Sequence, residues 1–164
     1  MPEPQEHEIA AAKLPHDIFL MNLIMNHILL FTGVATFGQA YIKYLSVIPA
    51  ISVATIVYTL YKANKVKPEE SVFVYIHWQI ARRWSLLFSY VLMLLAGVAT
   101  LSYLGNQYLG VMKEAVYAFI GGLGVLPTLV TVLVLIVIES DSLHHARVGT
   151  LPNWARKKFL DSDK

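Results

Sequence analysis

Few residues in this chain have side chains that do chemistry, and the most telling are histidines. There are six, and no cysteine at all. His27 stands in the middle of the apolar stretch "FLMNLIMNHILLFTGVATFGQA". A neutral imidazole at that depth can ligate the iron of haem b or hydrogen-bond a quinone ring. Bis-histidine ligation needs a second histidine at similar depth, and the other apolar stretches hold none. Met93, near the middle of the third stretch, is the side chain that can serve as a second axial ligand. The plainer reading is a neutral histidine making one interhelical hydrogen bond.

Two more groups carry donors or charge. In "ESDSLHHAR", Asp141 precedes His144 and His145 by three and four residues, so the three could converge on zinc or iron if the helix continues. Adjacent histidines point in different directions on a helix, which favours a solvated helix end instead. In "HWQIARRW", His77, Trp78, Arg82, Arg83 and Trp84 combine aromatic and cationic character, and Trp154 adds to it from the tail. Such a set suits lipid phosphates or a partner subunit. No P-loop, GxSxG or HExxH pattern occurs, and no nucleophile or carboxylate base adjoins "HWQIARRW" in sequence.

The elements that must position these residues follow from composition. Of 164 residues, 56% are hydrophobic and 15% charged, where a soluble domain carries about 25% charged. No Asp, Glu, Lys or Arg falls in 18–38, 44–61, 84–112 or 115–138. Each run has about the length a helix needs to cross a bilayer, and none alternates as a barrel strand would. The expected fold is all-α: an integral membrane four-helix bundle of two antiparallel hairpins. Its helices are expected at about 18–38, 44–62, 83–105 and 115–138. They are flanked by an acidic N-tail (1–16), a hairpin (62–83) and a basic C-tail (140–164). The acidic start argues against a cleavable signal sequence.

Basic residues orient the chain. Lys13, Lys62, Lys65, Lys67, Arg82, Arg83, Arg147, Arg156, Lys157, Lys158 and Lys164 fall on one side of such a bundle, against Lys43 and Lys113 on the other. Both termini are therefore expected in the cytoplasm, in a bacterial inner membrane. The net charge of +2 reads as an orientation signal, not as a nucleic-acid footprint. The segment "SVFVYIHWQIARRW" repeats its apolar residues at helical spacing, so the third helix is expected to start before the membrane.

On the first helix, Asn22, Asn26, Gly33, Thr36 and Ala40 share a stripe expected to pack against neighbours, with Gly121 and Gly122 of "GGLG" as a second close-packing site. No carboxylate or lysine falls within an apolar run, which argues against an ion-coupled transporter. The function expected first is a non-catalytic accessory subunit of a larger membrane complex, contacting lipid and other subunits or copies of itself. The alternatives are an electron-transfer anchor binding haem b or quinone through His27, and a small homo-oligomeric channel or transporter.

Overall fold

The computed structural model describes residues 3–37 and 47–160. Ala40, Lys43 and the junction between the first two expected helices lie outside the described residues, as does Lys164. What is described is 87% helix, with no strand. Helix α1 (Glu6–Met21) passes through a π-helical stretch (Asn22–Leu30) into α2 (Phe31–Thr36). Then come α3 (Val47–Lys65) and α4 (Val72–Leu109). Helix α5 (Lys113–Phe119) continues through a second π-helical stretch (Ile120–Val125) into α6 (Leu126–Arg147), and α7 (Asn153–Phe159) closes the chain.

The first helix begins at Glu6 and not near residue 17. The Gln5 N–H donates to Glu8 Oε2 at 2.9 Å, a capping arrangement that satisfies the first turn. The next turns bury Ala12 and half-bury Ile9 against Phe73 and Ala146. That contact draws the segment into the fold, with Pro15 inside the helix. Helix α4 starts at Ser71, whose hydroxyl caps Val74 N, and ends at Gly110 in the left-handed region (φ +68°). At 38 residues it is about 57 Å long, well beyond a hydrocarbon core of about 30 Å.

Four helical rods meet around one apolar core. Phe19 comes from α1, Leu23 from the π-helical stretch after it, Ile56 from α3, Phe88 from α4, and Val132 and Leu135 from α6. Helices α1 and α4 run one way, α3 and α6 the other. At one end Ala12, Phe73 and Ala146 pack together, while Gln79 Nε2 donates to the Ala63 carbonyl at 2.9 Å. Among the described residues three helices are long and apolar enough to cross a membrane: Glu6–Val34, Val72–Leu109 and Lys113–Arg147. In the most apolar window of Val72–Leu109 only 11% of residues are buried. The side chains turned outward on that helix include Leu94 and Leu101, along with Tyr90, Met93 and Tyr103. A surface of that kind is at rest in lipid, where apolar exteriors cost nothing.

Candidate functional site

Two buried polar sites lie in this bundle, one at the end where α1 begins and one deeper. The first is a chain of hydrogen bonds. Glu139 Oε2 is 2.6 Å from His16 Nδ1, His16 Nε2 is 2.9 Å from His77 Nδ1, and His77 Nε2 is 3.3 Å from the Thr150 carbonyl. His16, His77 and Glu139 are fully buried. The helical repeat accounts for their meeting. Ala12, His16, Phe19 and Leu23 lie on one face of the first rod, and Val132, Leu135, Glu139, Ser142 and Ala146 on one face of α6. His77 is enclosed by Phe73, whose ring centroid is 4.7 Å away.

The Thr150 carbonyl reaches His77 because α6 ends in a Schellman turn. Gly149 has φ +71°, and Thr150 N donates to the His145 carbonyl at 2.9 Å while Gly149 N donates to Ala146. A carbonyl only accepts, so His77 must carry its proton on Nε2. If His77 is neutral, its Nδ1 accepts from His16 Nε2–H, which leaves one proton between His16 Nδ1 and Glu139 Oε2. The polarity of the whole chain is thus set by one backbone group. Glu139 Oε1, at its far end, is buried without a partner.

The second site is at His27. In a π-helix residue i+5 lies over the carbonyl of residue i, and His27 Nδ1 donates to the Asn22 carbonyl at 3.1 Å. That bond fixes the tautomer and turns Nε2 into an acceptor, which is buried and has no partner. His27 lines a cavity of about 200 Å³ together with Phe31, Ile48, Leu95, Val125 and Thr128. The Thr128 hydroxyl already donates to the Gly124 carbonyl at 2.8 Å, so it too offers lone pairs alone. Both π-helical stretches contribute to this cavity, His27 from one and Val125 from the other. Such stretches concentrate at functional sites.

An apolar layer separates the two sites. Thr128 and Glu139 are eleven residues apart on α6, about 16 Å. Val132 and Leu135 fill that interval with Phe19, Leu23 and Phe88. The Phe88 ring lies 4.9 Å from His27 and 6.1 Å from Phe19.

The remaining expected site residues fall as follows. Met93 is 62% exposed and turned out of the bundle, so it does not face His27 as an axial partner would. His145 Nε2 is 3.9 Å from Asp141 Oδ2, but its Nδ1 is bonded to the Thr150 hydroxyl and His144 is exposed. Among the described residues no group of three His, Cys, Asp or Glu is arranged to hold a metal. His77 and Trp78 are buried and therefore offer no docking surface, because the helical repeat turns both inward. Arg82, Arg83, Trp84 and Trp154 remain at the surface or half-buried.

Asn26 Nδ2 donates to the Ile48 carbonyl at 2.8 Å and to Asn22 Oδ1, while Asn22 Nδ2 donates to Ser52 Oγ at 3.0 Å. Gly33 is half-buried with nothing near its Cα, and Thr36 is exposed and bonds only its own helix. Gly121 and Gly122 face open space, and the close approach belongs to Gly124, where a Cβ would lie 2.7 Å from Leu95 Cδ1. Comparison with protein-family models, curated protein sequences and solved structures finds no match to this chain.

Proposed function

We propose that this chain is a small subunit of a bacterial inner-membrane assembly whose bundle holds one ring-bearing ligand with O–H donors, of the hydroquinone class, against His27. In this reading all four rods cross the bilayer. Both termini are cytoplasmic, because the end where α1 begins also carries most of the lysines and arginines.

The observation that carries the ligand is the His27 Nε2 atom: buried, without a partner, and held as an acceptor by the bond from Nδ1 to Asn22. An acceptor buried without a donor is costly, by about 1–3 kcal/mol. A ligand that donates to it relieves that cost. Because Thr128 also offers only lone pairs, a reduced ring with hydroxyls matches the cavity and an oxidised ring with carbonyls does not. Size agrees: a cavity of about 150 Å³ accepts benzene, and this one, at about 200 Å³, accepts one substituted ring. A four-pyrrole haem macrocycle is too large for it. Exposed Pro49 at the rim leaves a way out for an isoprenoid tail.

The test is calorimetric titration of the purified protein with a short-chain ubiquinol analogue and its oxidised form. The reduced form should bind about two- to twelvefold tighter, since one hydrogen bond is worth about 0.5–1.5 kcal/mol, and His27→Leu should erase the preference. No binding of either form, or tighter binding of the oxidised one, would refute the ligand. A Soret band in the purified protein would replace it with haem. Co-purification from native membrane should bring down further subunits; a solitary particle would remove that part of the reading.

A further inference from the structure

We infer that the cleft between the start of α4 and α7 is a binding site for the headgroup of one anionic phospholipid. The cleft has a volume of about 380 Å³, and its walls include Arg82, Arg83, Trp84, Leu87, Tyr90 and Lys158. Among the described residues, no carboxylate lines it. Among the described residues neither guanidinium meets an acid, and Arg82 Nη1 instead donates to Gln79 Oε1 at 3.3 Å. The Arg83 guanidinium is held between two indoles, 5.3 Å from the Trp84 ring and 5.1 Å from the Trp154 ring. The two indoles pack edge to face with centroids 6.1 Å apart. An arginine fixed in this way presents its fork without losing much side-chain freedom on binding. Trp84 lines the cleft, and its Nε1–H is buried without an acceptor.

The chemistry required is a phosphate diester carrying net negative charge, with an apolar remainder. Along α4 the wall changes within two turns from Arg82 and Arg83 to Leu87 and Tyr90. That order matches a headgroup above and an acyl chain below, at the first charged turn before the run 84–112. Basic pockets at the cytoplasmic ends of membrane helices suit anionic headgroups for this reason. The inference rests on the chain spanning a membrane but not on a ligand at His27, so neither result below bears on ring binding.

Native mass spectrometry of the protein from micelles with equal phosphatidylglycerol and phosphatidylcholine tests it. The wild type should retain phosphatidylglycerol by about fivefold or more per basic contact. The double variant Arg82→Gln/Arg83→Gln should fall to near parity, while Arg156→Gln/Lys157→Gln, outside the cleft, should keep the preference. Trp84→Phe retains the ring and removes the donor, and should give an intermediate value. Parity in the wild type would overturn the inference. So would an equal loss in the control pair, which would mean a diffuse surface charge, or displacement of the lipid by an acidic peptide at equal concentration, which would mean a protein partner.

Discussion

His16 Nδ1 lies 2.6 Å from Glu139 Oε2, joining two fully buried residues 123 positions apart in sequence. Through His77 the same chain of bonds reaches the loop after α6, so three helices and one turn are tied at one point. The bond order has a consequence for substitutions. Only one proton lies between His16 and Glu139, and an amide in place of the carboxyl can supply a donor there. Glu139→Gln should therefore cost less than about 1 kcal/mol. Glu139→Leu and His16→Leu each strand a buried polar partner and should cost about 3–5 kcal/mol. Thermal unfolding of the three variants in detergent checks this; equal destabilisation by Gln and Leu would mean that the bond contributes nothing.

Gly149 governs the other end of that chain. Its φ of +71° is disfavoured for residues with a Cβ, and a Cβ there would also meet Pro4 Cγ at 2.9 Å. Gly149→Ala should lower stability by about 1–2 kcal/mol for the backbone conformation alone. It should also loosen the Thr150 carbonyl from His77. Hydrogen exchange at Thr150 N–H, which bonds His145 in the turn, should accelerate in this variant. Unchanged exchange would show that the turn persists without glycine.

How much of this was legible beforehand varies with the physics involved. Helical periodicity and the charge-free runs carry the all-helical character and the long apolar rods, because both depend on composition over many residues. Glu139 was passed over for a local reason. It stands one residue after the charge-free run 115–138, just past the expected end of the fourth helix, although its spacing from Leu135 and Ser142 puts it on the buried face of α6. His16 likewise falls in the acidic N-tail (1–16), ahead of the first charge-free run. The π-helical stretches have no sequence signature of their own, so the tautomer of His27 was beyond reach.

The proposed crossing of the bilayer by α4 has a direct test, made convenient by the absence of cysteine. Glu69→Cys lies in the connection between α3 and α4, and Met112→Cys at the opposite end, between α4 and α5; both positions are exposed. In sealed inner-membrane vesicles of known orientation, a membrane-impermeant maleimide should label Glu69→Cys from the cytoplasmic side and Met112→Cys from the other. Labelling of both from one side would exclude a crossing by α4.

The contact between Gly124 and Leu95 links helix packing to the cavity at His27. A methyl group at position 124 would press Leu95 Cδ1, and Leu95 is one wall of that cavity. The leucine end is flexible and must move, so the cavity changes shape while the helices keep their backbone contact. Gly124→Ala should weaken binding of the reduced ring severalfold with a change in stability of less than about 1–3 kcal/mol, the usual cost of overpacking. Gly122→Ala, where a methyl meets nothing within 4 Å, should leave both quantities as they are. The pair separates a role in ligand binding from a role in helix packing. If Gly124→Ala lowers the melting temperature sharply and leaves ring affinity unchanged, Leu95 belongs to the scaffold and the ring must bind elsewhere.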